Sequence, residues 1–193
     1  MMVARPNLDG SSEMSVSSAP MAPVPVNGWK GVLIATRDAP VCPQIGGERV
    51  GPNDEDCLYL NVYSKQLDGR YPVIVYFHPG AFFSMTGASY WYGPDYLLSE
   101  DIVLVTINYR LDALGFLSTG DGEAEGNNGL KDQVAAMRWV HSHISKFGGD
   151  PNSVTLAGYS AGSASAFYHM LSPMSRGPGC LKNSRQVTSE TLN

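Results

Sequence analysis

Two continuous apolar runs stand out along the chain: Pro72-Val73-Ile74-Val75-Tyr76-Phe77 and Ile102-Val103-Leu104-Val105-Thr106-Ile107-Asn108. Strands buried on both faces read this way, so the pair predicts the centre of a parallel sheet. Residues 58–63 alternate and predict a further strand, with Leu67-Asp68-Gly69-Arg70 as its turn. Residues 92–99 predict a short helix with Pro94 in its first turn. The clearest helix spans 129–147, where Leu130, Val134, Met137, Ile144 and Phe147 recur at steps of 4, 3, 7 and 3. Lys131, Asp132, Arg138, His141 and Ser145 take its other faces, and His141 and His143 are expected on its solvated side. Gly148-Gly149 ends that helix, and Asp150-Pro151 makes a turn. A short β-rich run at 154–157 then meets a helix from Ser160 to about Leu171. The order strand, strand, helix, strand, long helix, strand, helix predicts a doubly wound α/β fold: a mostly parallel sheet with helices on both faces.

The two ends lack such patterns. Pro6, Pro20, Pro23 and Pro25 break any element near the N-terminus, so residues 1–25 are expected to be disordered or loosely attached. The apolar run at 29–36 is expected to dock on the core. After Pro173 the pattern stops, and residues 175–193 are polar without an apolar period.

Length and composition narrow the picture. At 193 residues the chain fits one domain. Charged residues make up only 16%, below the usual quarter, so much of the chain expects burial. A net charge of −5 without a basic cluster argues against nucleic acid as a partner. No run approaches the ~18 apolar residues of a membrane span. The first 25 residues lack the apolar core of a signal peptide. Cys42, Cys57 and Cys180 are an odd count, so at least one is unpaired. Cys42 and Cys57 flank the Gly/Pro-rich loop 43–56. They close as a disulfide in an oxidising compartment or stay as two thiols; composition leaves both readings open.

The candidate chemistry centres on Gly158-Tyr159-Ser160-Ala161-Gly162, followed by Ser163-Ala164-Ser165-Ala166. A strand, a very sharp turn and a helix N-terminus place the middle serine on strained backbone at the C-terminal edge of a sheet, and such a turn needs small neighbours. Ser160 is therefore a candidate acyl-transfer nucleophile, with the Ala161 N–H aimed where an oxyanion would develop. The bland alternative is a chance match in a Gly/Ser-rich loop. His78-Pro79-Gly80-Ala81-Phe82 leaves the buried strand at the same sheet edge. Its small residues let the N–H groups of Gly80 and Ala81 approach a substrate oxygen, while Pro79 has none to offer. The alternative there is an ordinary Pro-Gly turn. Phe82, Phe83, Trp91 and Tyr92 line a gorge or pack in the core; both readings stand.

These motifs, with Glu55-Asp56-Cys57-Leu58-Tyr59-Leu60-Asn61-Val62, Asn108-Tyr109-Arg110-Leu111, Gly126-Asn127-Asn128-Gly129-Leu130-Lys131-Asp132-Gln133 and Phe147-Gly148-Gly149-Asp150-Pro151, come in one order along the chain. In that order the chain resembles the type-B carboxylesterase/cholinesterase family of α/β-hydrolases, and most of all insect juvenile-hormone-esterase-like and venom carboxylesterases. The resemblance covers roughly residues 26–176, as a partial carboxylesterase domain between the N-terminal segment and an unrelated polar tail at 177–193. It implies Ser160 as the nucleophile of a serine carboxylesterase. It also implies an oxyanion hole of Gly80, Ala81 and Ala161, a Cys42–Cys57 disulfide, a small-molecule carboxylic ester as substrate, and neither metal nor cofactor. The family more often has glycine where Pro79 and Ala81 stand. It is mostly secreted, but no signal peptide is read in these residues, so the compartment stays unknown.

An α/β-hydrolase triad runs Ser, then Asp or Glu, then His. After Ser160 the only acid is Glu190 and the only histidine is His169. His169 lies nine residues along the elbow helix, roughly 13 Å from Ser160 at ~1.5 Å per residue, too far to serve as its base. It is expected to be a helix-face residue, and His78 to shape the loop. The family's acid and histidine, and its C-terminal strands, lie further downstream than this sequence reaches. The expectation is an esterase lineage, a truncated α/β-hydrolase fold with the elbow strand left at an exposed edge, and a chain inactive by itself. The alternatives are a non-catalytic cholinesterase-like binding or adhesion module, which typically loses the serine kept here, and a truncated product without function.

Overall fold

The computed structural model describes residues 21–23 and 35–176 in full. Beside them it describes the backbone of β1 (Met2–Ala4), β2 (Glu13–Ser15), β3 (Val24–Val26) and β8 (Arg185–Ser189). The rest of the N-terminal segment, residues 29–34 of the run expected to dock on the core, Cys180 and most of the tail lie outside the described residues.

β5 (Tyr71–Phe77) sits in the middle of a six-stranded sheet of order β1-β4-β6-β5-β7-β8. It runs parallel to β6 (Val103–Ile107) on one side and to β7 (Gly149–Tyr159) on the other. β8 extends the parallel set beyond β7, while β4 (Leu60–Tyr63) joins β6 antiparallel. The elbow strand is therefore not the edge, because 185–189 pairs along it. That polar stretch carries no apolar period, so its pairing was not legible in the sequence.

Register explains the core. Val73, Val75 and Phe77 pair with Val103, Val105 and Ile107, and on the other side with Val154, Leu156 and Gly158. This places their side chains on one face, where they form a single buried cluster. After the short α1 (Asp112–Phe116), two longer helices cover that face: α2 (Asn128–His143) with Val134, Met137 and Val140, and α3 (Ala161–Leu171) with Ala166. Each fully buried Val, Leu, Ile, Phe or Met side chain of this cluster stabilises the fold by about 1.5–3 kcal/mol relative to exposure. Among the described residues both long helices lie on this face. The opposite face presents half-buried Ile74 and Tyr76, whose ring meets Tyr92 at 4.9 Å.

Three local expectations need correcting. Residues 92–99 form no α-helix, only a 3-10 turn at Leu97–Ser99; the segment is too short to repay helix nucleation, and the Tyr92 ring is committed to Tyr76. Asp132 and His143 are not on a solvated face: both are buried on α2. A charge among apolar positions reads as exposed unless its partner is known, and the partner of Asp132 is Arg110, on another element. The helical stretch also tightens to 3-10 geometry over Ile144–Phe147 before Gly148 turns it at φ 79°.

Candidate active site

The register that builds the core also assembles the site. Phe77 pairs with Gly158, so the chain leaving β5 at His78 and the chain leaving β7 at Tyr159 emerge side by side. Ser160 follows with φ 54° and ψ −120°, and α3 begins at the next residue. Backbone of this kind costs about 1–3 kcal/mol and persists only where its surroundings enforce it. Here they do. A Cβ on Gly158 would lie 2.3 Å from the Gly162 carbonyl carbon, and a Cβ on Gly162 would lie 2.0 Å from the Phe77 oxygen. The motif's two glycines are thus fixed by backbone contact. Ser160 itself is exposed, and Ala161 beneath it is buried.

The loop 78–85 is equally strained. Gly80, Ala81, Phe82 and Met85 have φ of 111°, 52°, 68° and 85°. A Cβ on Gly80 would lie 2.0 Å from the Ser84 carbonyl oxygen, so only glycine fits. The N–H groups of Phe83 and Ser84 both donate to the Gly80 carbonyl at 3.0 Å, which folds the loop back on itself. Among the described residues, the N–H groups of Gly80, Ala81 and Ala161 donate to no backbone acceptor and face no side-chain one.

The segment after β6 anchors this loop. The Tyr109 hydroxyl donates to the His78 carbonyl at 2.9 Å, and the Asp112 N–H donates to the Phe82 carbonyl at 2.8 Å. The His78 ring stacks on Tyr109 at 4.2 Å, and its Nδ1 lies 2.7 Å from the Pro79 carbonyl. A carbonyl only accepts, so Nδ1 carries the proton. Burial pushes the His78 pKa down to about 4. A buried, neutral, stacked imidazole suits the loop-shaping role expected of it. Phe82 packs inward on Tyr109, Leu111 and the Cys42–Cys57 pair, whereas Phe83 and Trp91 are about half exposed. The gorge-or-core question therefore divides: Phe82 is partly buried against the core, Tyr92 is half-buried against Tyr76, and Phe83 and Trp91 are open to solvent. Cys42 and Cys57 form a disulfide.

His169 faces the interior of the fold. Its Nε2 meets Gln133 Oε1 and its Nδ1 meets Ser175 Oγ, both at 2.8 Å. Gln133 Nε2 donates to Ser165 at 3.0 Å, so Gln133 offers His169 an acceptor and Nε2 holds the proton. Burial lowers the His169 pKa to about 4. With both nitrogens engaged, this ring braces α3 against α2 and does not face Ser160. Arg110 and Asp132 form a second brace. Arg110 donates from Nε and Nη2 to the two carboxylate oxygens at 2.8 and 2.7 Å, and its N–H adds a third bond at 3.0 Å. Burial pulls the Asp132 pKa upward against those bonds.

The sequence alone does not mark Tyr109, Gln133 or the Arg110–Asp132 pair as supports of the site. Their only signal is their place within the motifs at 108–111 and 126–133. Among the described residues no group of three or more His, Cys, Asp or Glu side chains is arranged to hold a metal ion. No described helix is long and apolar enough to cross a membrane.

A family model described as the carboxylesterase family matches residues 21–184. The chain belongs to the carboxylesterase family. It is 49% identical over 161 residues to a juvenile hormone esterase of Tribolium castaneum, covering 81% of this chain and 27% of the relative. Esterase E4 of Myzus persicae is 49% identical over 166 residues, with 80% and 29% covered. Venom carboxylesterase-6 of Apis mellifera is 45% identical over 164 residues, with 80% and 29% covered. Insect members are thus among its relatives, as the resemblance implied. Among solved structures, a thermophilic PNB esterase superposes with a TM-score of 0.76 at 38% identity, covering 86% of this chain and 36% of that one. The juvenile hormone esterase of Manduca sexta, with OTFP covalently attached, gives 0.77 at 34% identity, with 87% and 33% covered. The fold is that of the α/β-hydrolase carboxylesterases, and the lineage is that of ester hydrolases. The chain spans under a third of the length of the three curated relatives named here.

Proposed function

We propose that Ser160 is the nucleophile of a serine carboxylesterase site, with the N–H groups of Gly80, Ala81 and Ala161 as its oxyanion hole and a small carboxylic ester as substrate. One observation carries this reading: the Phe77–Gly158 pairing sets an exposed, strained serine beside a loop in which the Gly80 and Ala81 N–H groups make no hydrogen bond among the described residues. Ser160 Oγ attacks the ester carbonyl carbon as its proton passes to a base. The carbonyl oxygen becomes an oxyanion held by the three N–H donors. The tetrahedral centre collapses, the C–O bond to the alcohol breaks, and the alcohol leaves with a proton. Water then releases the acid from the acyl-serine by the same steps.

The reading assigns the base and its orienting acid to residues beyond these 193, because His169 and His78 are both buried, neutral and hydrogen-bonded elsewhere. Without them the serine hydroxyl is a poor nucleophile, and only the ~10³–10⁴-fold catalysis of oxyanion hole and binding survives loss of a triad member. The chain alone is therefore proposed to be inactive. Hydrolysis of a short-chain p-nitrophenyl ester by the purified chain, against Ser160→Ala, tests this. The expected result is no difference between two chains of matching circular dichroism. Ser160-dependent turnover would overturn the claim of inactivity and reveal a base within the chain.

A further inference from the structure

We propose that Gln44 is a positioning residue that holds the oxyanion loop from the disulfide loop; the proposal rests on the reading of residues 80–85 given above. Gln44 lies two residues past Cys42, in the loop that the disulfide to Cys57 closes. Its side-chain amide meets the backbone of Met85 with both ends. The Met85 N–H donates to Gln44 Oε1 at 2.7 Å, and Gln44 Nε2 donates to the Met85 carbonyl at 3.0 Å. Nε2 also donates to the Cys42 carbonyl at 2.9 Å. One side chain thus imitates the partner strand of a sheet for one residue of the loop.

Met85 is where such a hold is needed. It sits at φ 85° without being glycine, at the far end of a loop that already carries Ala81 and Phe82 in the left-handed region. Strained backbone of this kind stays only where its neighbours over-determine it. Tyr109 and Asp112 fasten the first half of the loop, at His78 and Phe82. Gln44 fastens the second half. The disulfide loop is itself moored: Asn108 Nδ2 donates to the Cys57 and Pro40 carbonyls, each at 3.1 Å. A chain of contacts therefore runs from Asn108 through the disulfide loop and Gln44 to Met85.

The role demands an amide, since one end must accept and the other donate. Gln44→Glu keeps the shape and the acceptor but sets a carboxylate oxygen against the Met85 carbonyl. Gln44→Met keeps the bulk and loses both bonds. A residue that only filled space would tolerate either change; a positioning residue tolerates neither.

The test compares amide hydrogen exchange in the wild-type chain, Gln44→Glu and Gln44→Met, with phenylboronic acid as a probe of the site. Boron accepts the Ser160 oxygen as the hydroxyl proton passes to solvent, and a boron oxygen takes the oxyanion position. In both variants, exchange at Met85, Phe83 and Ser84 is expected to speed about tenfold, as for loss of one or two hydrogen bonds. Exchange in β5, β6 and β7 stays unchanged, and boronate affinity falls several-fold. Reduction of the disulfide in the wild-type chain gives a variant-free arm, expected to speed exchange at Met85 before the strands. Unchanged exchange at Met85 in the folded variants overturns the proposal, as does a rise matched throughout the sheet. Faster exchange with unchanged boronate affinity overturns its bearing on Ser160. If Ser160→Ala binds the boronate as tightly as wild type, an adduct at Ser160 is excluded and with it the loop's bearing on that residue, while the exchange result still decides whether Gln44 holds the loop.

Discussion

The Phe77 carbonyl oxygen occupies the space beside Gly162 so fully that a Cβ there would come within 2.0 Å. The same Cβ would lie 3.0 Å from the His78 carbonyl oxygen. The end of β5 and the start of α3 are thus in backbone contact directly beneath Ser160. Gly162→Ala must push the helix off the strand. Overpacking of this kind costs about 1–3 kcal/mol, and the rigid backbone on both sides puts the expected loss at the upper end. Urea denaturation followed by circular dichroism should show a midpoint well below wild type. A midpoint within error of wild type would mean that α3 can shift freely, and the close approach would lose its meaning.

Arg110 and Asp132 are joined by two side-chain bonds in an environment that leaves their side chains 3% and 0% exposed. Removing one partner strands the other as a buried charge, at a cost of about 3–5 kcal/mol. Asp132→Asn is expected to destabilise the chain by that order. Arg110→Lys should fare little better, because an ammonium cannot reproduce the paired donors of the guanidinium. Denaturant melts of both variants check this, and a loss under about 1 kcal/mol would place the pair among the weak surface bridges.

These two cases show what the sequence makes legible. Gly158 and Gly162 could be read because the steric demand is local: a strand, a turn and a helix within a dozen residues. The apolar runs of β5 and β6 could be read because burial on both faces leaves no room for polar alternation. Asp132 is misplaced because periodicity sorts residues by polarity and cannot see a partner on another element, and His143 because its ring is buried edge-on to Trp139 at 5.3 Å. Gln44 was not singled out for the same reason, since its two bonds to Met85 span 41 positions. The half of the site set by local backbone was legible, and the half set by long-range hydrogen bonds was not.

Acid should weaken the fold through two imidazoles. His78 and His169 each have a folded pKa of about 4 against an ordinary 6.5, lowered by burial. The unfolded chain binds those protons first, so stability is full above about pH 6.5, falls as pH drops toward 4, and levels below it. A depression of this size corresponds to about 3 kcal/mol per group. Asp132, raised by burial, pulls the opposite way at the acid end. Unfolding free energies measured from pH 7.5 to 4.5 should decline, and His169→Gln should flatten the slope by about half. A slope unchanged in that variant would assign the acid sensitivity to other groups.

The outer face of α3 makes a last prediction. Its inner positions, Ala161, Ser165, Ala166 and His169, are buried, yet Phe167, Tyr168, Met170 and Leu171 on the opposite side are also apolar and stand about half exposed. A helix apolar all round is one that expects cover on both sides. Met174, just past its end, extends the exposed strip. Contiguous apolar surface of this kind drives association. The purified chain should therefore bind a hydrophobic dye strongly and scatter light as concentration rises. Phe167→Glu with Leu171→Glu should suppress both effects while leaving the circular dichroism unchanged, since exposed substitutions usually shift stability by no more than about 0.5 kcal/mol. If the double variant unfolds instead, those side chains are buried in the native chain, and the outer face of α3 is already covered.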